Sequence, residues 1–115
     1  MFAIYDDNTI ELTRGDSCAI GLKLIDIEGN PYEPEEGDEL FIRLKKKPRD
    51  NYELLFEKKG TLDPMEFQLE EEDTMNLDFG TYYYEIELVS DDNKHFTVIP
   101  PTKFKVGKEL ERHGN

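Results

Sequence analysis

Apolar and polar residues alternate along most of the chain, which is the pattern of β-strands that bury only one face. The clearest run is ELFIRLKKK at residues 39–47, where Leu40, Ile42 and Leu44 alternate with aromatic or charged side chains. Gly, Pro, Asp and Asn separate such runs at about ten-residue spacing. The runs occupy residues 9–12, 17–25, 39–47, 52–59, 65–72, 80–89 and 95–106. The pattern predicts an all-β fold, an immunoglobulin-like antiparallel β-sandwich of seven or eight strands.

Two details of the pattern bear on how the strands are arranged. Pro100 and Pro101 interrupt the last run, and neither can donate a hydrogen bond to a sheet. They predict a sheet edge or a jump between sheets at that point. Leu54 and Phe56 are two positions apart in their run, so they are expected to share a face.

The length of 115 residues suits one domain, and neither a repeat nor a linker divides the chain. A single β-sandwich domain is expected at residues 1–108, followed by a polar C-terminal tail at residues 109–115. Helix is expected only as one turn near residues 70–77 and a frayed turn at residues 107–115.

The chain is strongly acidic, with 27 Asp and Glu against 14 Lys and Arg and a net charge of −13. A surface of that charge repels phosphate backbones and anionic headgroups, so neither nucleic acid nor a membrane is expected as a partner. No run approaches the ~20 apolar residues of a membrane-spanning helix, and the start of the chain lacks the features of a signal peptide. We therefore expect the chain in a cytoplasm during its synthesis.

Candidate catalytic and metal-binding residues are few. The single cysteine, Cys18, lies on the apolar side of its strand, where burial raises the pKa of a thiol. His95 and His113 lie in no motif, and the Asp-rich residues 5–8 and 90–93 are typical of hairpin turns rather than calcium loops. Carboxylate pairs are abundant, but a chain this acidic contains such pairs without any catalytic purpose. We predict no catalytic residue, no cofactor, no metal site and no enzymatic activity.

Three consecutive tyrosines are assigned to two faces by the same alternation. Tyr82 and Tyr84 are expected inside and Tyr83 outside. The preceding EDTMNLDFG has the order of an immunoglobulin-type tyrosine corner, in which the hydroxyl bonds back to the connection before its strand. Tyr82 is the predicted corner residue. Because surface tyrosines supply contact area with a polar tip, three are predicted to form a partner interface, namely Tyr32, Tyr52 and Tyr83.

Four segments in order, TIELTRGDS, GDELFIRLKKKP, LEEEDTMNLDFGTYYYEIEL and FTVIPPTKFKV, together resemble structural proteins of phages and prophages of Gram-positive bacteria. They are similar to the N-terminal domain of phage baseplate upper proteins, over nearly all of residues 4–107. The resemblance implies a non-enzymatic β-sandwich that serves as an adaptor in a tail or baseplate. The implied partners are other tail or baseplate proteins or further copies of the chain. The implied location is the virion, with the bacterial cytoplasm as the site of synthesis.

Two other functions remain open at this point. A carbohydrate-binding β-sandwich module would display a platform of aromatic side chains, often including tryptophan, and this chain has no Trp. An enzyme would require a pair of carboxylates with perturbed pKa values in a concave site.

Overall fold

The computed structural model describes residues 2–49 and 53–108, which form nine strands and one short helix. The strands are β1 (Phe2–Ile4), β2 (Ile10–Thr13), β3 (Cys18–Gly21), β4 (Glu39–Lys45), β5 (Leu54–Lys59), β6 (Thr61–Leu62), β7 (Met65–Leu69), β8 (Gly80–Val89) and β9 (His95–Gly107); helix α1 is Glu71–Met75. The all-β prediction is confirmed. The described residues contain more strands than the predicted seven or eight, because β1 and β6 are too short for alternation to reveal. The predicted tail at residues 109–115 lies outside the described residues. The predicted helical turn at residues 107–115 lies outside them except for its first two positions, of which Gly107 ends β9.

The strands form two sheets. The large sheet has the order β1-β2-β9-β8-β4-β5, and the small sheet has the order β3-β7-β6. Neighbouring strands among those described are antiparallel, with one exception. Strands β2 and β9 are parallel over four residue pairs, from Ile10↔Phe104 to Thr13↔Gly107. The prediction of a wholly antiparallel sandwich was therefore wrong at this pair. Parallel strands need a long connection between them. Here the connection consists of all the elements from β3 to β8.

The core lies between the inner faces of the two sheets. The large sheet contributes alternate positions of β2, β4, β8 and β9, and the small sheet contributes those of β3 and β7. Most of the side chains that alternation assigned to the interior are buried, among them Ile10, Leu12, Ile20, Leu40, Ile42, Leu44, Phe67, Leu69, Ile86 and Phe104. Period-two alternation therefore located the core correctly.

Strand β9 is continuous through its two prolines. It pairs with β8 along its length but with β2 only from Phe104 onward, so the strand has a single neighbour at Pro100 and Pro101. The register places both prolines opposite one residue, Glu85, between the pairs Tyr84↔Thr102 and Ile86↔Ile99. The predicted edge is confirmed. The prolines neither interrupt the strand nor move it to the other sheet. A bulge at an open edge accommodates them.

A bulge in β5 overturns one prediction about sidedness. Leu44 lies opposite Phe56, but the next pair is Lys45 with Leu54, so β5 has an extra residue there. Leu55 and Phe56 pack against the core, and Leu54 is turned outward and 44% exposed. Leu54 and Phe56 therefore do not share a face, because a one-residue insertion reverses the alternation.

Helix α1 occupies part of the segment that was predicted to form one helical turn. The Glu70 backbone N–H donates to Asp73 Oδ2 at 2.7 Å, which caps the first turn. Thr74 is fully buried, and its Oγ1 accepts a hydrogen bond from the Gly15 backbone N–H at 2.9 Å. Lys58 Nζ reaches Asp73 Oδ2 at 2.7 Å. The helix thus joins the β2–β3 turn to strand β5.

The three consecutive tyrosines are arranged as alternation predicted. Tyr82 and Tyr84 are buried on the inner face of β8, and Tyr83 is partly exposed on the outer face. The Tyr82 hydroxyl donates to the Asp78 carbonyl at 2.7 Å, in the connection before β8. This hydrogen bond has the geometry predicted for a corner tyrosine. The Tyr84 hydroxyl donates to the Asn8 carbonyl at 2.5 Å, and its ring meets Phe104 edge-on at 6.2 Å between centroids.

We expect Tyr82→Phe to lower the free energy of unfolding by about 1 kcal/mol, because the Asp78 carbonyl loses its donor while the ring packing is kept. Urea denaturation of the two proteins measures the difference. Tyr83→Phe is the matched control, since its hydroxyl is on the solvent-facing side of the same strand, and it should change stability by less than about 0.5 kcal/mol. Equal losses from the two substitutions would contradict the corner role of Tyr82.

Stability should fall at alkaline pH through Tyr84. Burial, followed by the nearby Asp7 carboxylate, raises the pKa of Tyr84 from 10.0 to about 12. Between those values the unfolded chain releases this proton and the folded chain retains it, so stability present below about pH 10 is lost as the pH rises toward about 12. The loss from this residue is about 1.4 kcal/mol per pH unit. Urea denaturation over that range should show a shallower decline for Tyr84→Phe than for the parent protein; parallel declines would refute the assignment.

Candidate docking surface

The inner face of the large sheet is incompletely covered near the β8–β9 turn. Phe96 lies opposite Leu88 in the register, so it shares the inner face with that buried residue. Phe96 is nevertheless 51% exposed. The strands of the small sheet have two to five residues, whereas β8 has ten and β9 has thirteen. The two sheets differ in length, and apolar surface of the large sheet is left open as a result.

An open cavity of about 500 Å³ occupies this region and is called here the end cleft. Its apolar lining comes from β8, β9 and the β3–β4 connection at residues 22–38, and consists of Leu24, Ile25, Tyr32, Leu88, Phe96 and Val98. A second cavity of about 390 Å³ adjoins it and shares Leu24, Ile25 and Val98. Two neighbouring cavities with largely apolar linings therefore lie beside the part of β9 that has no second neighbour.

The β3–β4 connection forms a small hairpin that projects Ile27. The Asp26 N–H donates to the Asn30 carbonyl at 2.8 Å, and the Tyr32 N–H donates to the Leu24 carbonyl at 2.9 Å. Asp26 Oδ1 also accepts hydrogen bonds from two backbone N–H groups of the tip, at residues 28 and 30. These bonds hold Ile27 at the tip, where its relative exposure is 103%. Ile25, at the edge of the end cleft, is 64% exposed.

The orientation of Tyr32 in the cleft wall is set by a buried carboxylate. Its hydroxyl donates to Asp38 Oδ2 at 2.7 Å, and the same oxygen accepts the Glu35 backbone N–H at 2.9 Å. Asp38 is buried, and its Oδ1 has no hydrogen-bond partner among the residues that the structure describes. The bond to Asp38, reinforced by burial, raises the pKa of Tyr32 to about 12. The hydrogen bond to Asp38 therefore fixes the orientation of the Tyr32 ring in the cleft wall.

Two carboxylates line the end cleft, and the β3–β4 connection that forms part of its wall is acidic. Residues 22–38 contain six acids and one lysine, a net charge of −5. Glu35 and Asp92 line the cleft, and Lys94, the lysine in the lining, forms an ion pair with Asp92 at 3.4 Å. The two acidic turns abut so closely that a Cβ on Gly37 would lie 2.5 Å from Asp91 Oδ1. The site thus combines an apolar floor with an acidic rim.

The three predicted interface tyrosines do not form one surface. Tyr32 lines the end cleft, whereas Tyr83 lies on the outer face of the large sheet between Lys45 and Lys103 in the register. Tyr52 lies outside the described residues. Ile25, Ile27 and Phe96 were missed, because the pattern assigned Phe96 to the apolar face of the last run, Ile25 to the end of the run at residues 17–25 and Ile27 to a turn. An isoleucine flanked by two acids in a turn sequence is the signal that could have indicated Ile27.

The outer face of the large sheet is a network of cross-strand ion pairs. Arg43 bonds to Glu57 and, at 2.9 Å, to Glu87, while Lys45 pairs with Glu85 at 2.9 Å. Burial alone would raise the pKa of Glu87, but hydrogen bonds from Arg43 and His95 outweigh it and lower that pKa. Charges satisfied across neighbouring strands are typical of a solvated sheet face.

Reactive groups in the described residues offer little chemistry. Burial, followed by the charge of Asp16, raises the pKa of the half-buried Cys18 thiol to about 11, as its position in the sequence predicted. Residues 2–49 and 53–108 contain no cluster of three or more His, Cys, Asp or Glu arranged to hold a metal ion. The same residues contain no helix with the length and apolarity needed to cross a bilayer.

Among known proteins, no family model matches this sequence, and no curated protein matches it.

Proposed function

We propose that this chain is a non-enzymatic structural or adaptor module of a phage or prophage virion, with an immunoglobulin-like sandwich that docks a neighbouring tail or baseplate protein. The observation that carries the docking role is the exposed apolar surface of Ile25 and Phe96 in the lining of the end cleft. The fully exposed Ile27 follows two residues after Ile25 at the tip of the hairpin. Contiguous exposed apolar surface with a polar rim marks sites of protein association. The virion context rests on the sequence resemblance.

Several features favour a protein partner over a small ligand. A small-molecule site encloses its ligand and directs a few polar groups toward it. Here the Tyr32 hydroxyl is engaged by Asp38, and Lys94 is engaged by Asp92. Ile27 protrudes from the surface beside the cleft instead of lining a cavity. The projecting Ile27 and the nearby end cleft together form the kind of uneven surface that binds another folded chain.

One observation supports the alternative of a carbohydrate-binding module. The rings of Tyr32 and Phe96 and the carboxylates of Glu35 and Asp92 line the same cleft. Aromatic rings and hydrogen-bond acceptors together are suited to sugars. Reproducible binding on a glycan array that Phe96→Ala abolishes would favour this alternative over docking.

The docking role is tested by co-expressing the chain with the products of neighbouring genes and measuring complexes by size-exclusion chromatography. We expect one such product to bind, and the double substitution Ile27→Ser with Phe96→Ala to weaken that complex at least about tenfold. Leu54→Ser is the matched control, because Leu54 is 44% exposed on the far edge strand β5 and should leave binding unchanged. If no neighbouring product binds, or if the double variant binds as well as the parent, the docking proposal is wrong.

The virion context has its own test. Mass spectrometry of purified particles from the host strain should detect this chain in stoichiometric amounts with tail proteins. Its absence from intact particles would refute the virion assignment while leaving the docking role to the binding experiment.

A further inference from the structure

We propose that the end cleft binds an apolar segment flanked by lysine or arginine side chains, supplied by the docking partner. This inference rests on the proposed function and specifies the chemistry of its partner. It combines two observations at one place, an apolar floor that needs covering and a rim of carboxylates.

The floor of the end cleft determines the apolar part of the partner. Leu24, Val98 and the half-exposed Phe96 provide adjoining aliphatic and aromatic surface on the inner side of the large sheet. The cavity has a volume of about 500 Å³, which side chains of a partner can enter. Aliphatic or aromatic side chains of a partner would remove this surface from water at about 25 cal/mol per Å².

The rim determines the charge of the partner. Glu35 and Asp92 line the cleft directly, and residues 22–38 carry a net charge of −5. Lys94 offsets one of the two lining carboxylates through its mainly exposed ion pair with Asp92, so the lining keeps a negative charge at Glu35. Cationic side chains on either side of the apolar segment would meet these carboxylates, whereas anionic ones would be repelled.

The partner's main chain is not expected to add a strand to β9. The open edge of β9 contains Pro100 and Pro101 and two register shifts relative to β8. Prolines and bulges are the devices that prevent pairing at an exposed edge. Recognition is therefore expected through side chains in the cleft.

A second copy of this chain is a less suitable occupant for electrostatic reasons. In a two-fold symmetric contact each end cleft would meet the equivalent surface of the other copy. Both copies carry the same acidic connection at residues 22–38, so like charges would face each other within the Debye length of ~8 Å. A positively charged partner segment meets no such repulsion.

Three short synthetic peptides test the inference by fluorescence anisotropy with the full chain. One alternates leucine and lysine, one alternates serine and lysine, and one alternates leucine and glutamate. We expect the leucine–lysine peptide to bind at least about tenfold more tightly than either of the others. Its affinity should decrease as sodium chloride is raised, because salt screens the rim carboxylates.

Matched variants locate the binding. Phe96→Ala should weaken the leucine–lysine peptide at least about tenfold by removing apolar floor, and Glu35→Gln with Asp92→Asn should weaken it severalfold by removing rim charge. Leu54→Ala should leave the affinity unchanged, because Leu54 lies on the opposite edge strand. Circular dichroism of each variant establishes that the fold is intact.

Three outcomes would overturn the inference. The first is equal binding of the leucine–glutamate peptide, and the second is leucine–lysine binding that is indifferent to Phe96→Ala. The third is concentration-dependent self-association that Phe96→Ala abolishes, which would make a second copy the occupant. If a neighbouring gene product binds through the cleft while the leucine–lysine peptide does not, the docking function stands and the inferred charge of the partner is wrong. If neither binds, both proposals fail.

Discussion

Phe104→Ala is expected to lower the free energy of unfolding by about 3–5 kcal/mol. Phe104 is fully buried in β9, between the rings of Phe56 at 6.5 Å and Tyr84 at 6.2 Å, both in edge-on geometry. Its strand lies between β2 and β8, so the loss of the ring leaves a cavity at the centre of the large sheet. Neighbouring strands cannot close that cavity without breaking ladder hydrogen bonds. For a domain whose total stability is about 5–15 kcal/mol, the loss is severe.

The matched control for this prediction is Phe96→Ala on the same strand. Phe96 is 51% exposed, so its removal should cost less than about 1 kcal/mol. Urea denaturation followed by circular dichroism measures both variants, and thermal denaturation serves if Phe104→Ala is too unstable for urea titration. Similar losses from the two substitutions would show that the core of the large sheet is not centred on Phe104. A small loss of stability in Phe96→Ala would also show that this variant is folded and can be used in the binding experiments.

Gly60→Ala is expected to destabilise the domain by about 1–3 kcal/mol. Gly60 lies where the chain leaves β5 in the large sheet and enters β6 in the small sheet. A Cβ there would lie 2.7 Å from Cε1 of the buried Phe67 ring and 2.8 Å from the Glu66 carbonyl oxygen. Neither atom can move easily, since one belongs to the core and the other to the β7 backbone. The Gly60 N–H also donates to the Leu40 carbonyl at 2.7 Å, which limits backbone adjustment.

Gly21→Ala is the matched control for Gly60→Ala. Gly21 lies in β3, and a Cβ added there would have no heavy atom within 4 Å. Its substitution should change stability by no more than about 0.5 kcal/mol in either direction. Urea midpoints of the two variants give the difference directly. Comparable midpoints would mean that the two sheets can separate enough at Gly60 to accept a methyl group at no cost.

The sequence predicted local features well because they depend on near neighbours along the chain. The opposite orientations of Tyr82 and Tyr83 follow from the strand period alone, and α1 lies within the segment at residues 70–77 that was predicted to form one helical turn. The half-buried Cys18 with its raised thiol pKa follows from the same alternation. These features needed no knowledge of which strands are neighbours.

The docking surface could not be predicted in the same way. Phe96 has the alternation of a core residue, and only the limited extent of the small sheet leaves it exposed. Ile27 becomes a fully exposed projection because the hydrogen bonds of the hairpin hold it away from the domain. The predicted interface residues Tyr32 and Tyr83 were chosen by residue type, and the structure places them on different surfaces.

The sequence by itself determined which side chains of most strands face the core, and where the chain turns. Tertiary structure alone decided that β2 and β9 are parallel, that a bulge turns Leu54 outward and that the end cleft stays open. The physical reason is that alternation records whether a residue is buried, which each strand encodes separately. It does not record which strand lies beside another, in which direction, or how far one sheet extends over the other.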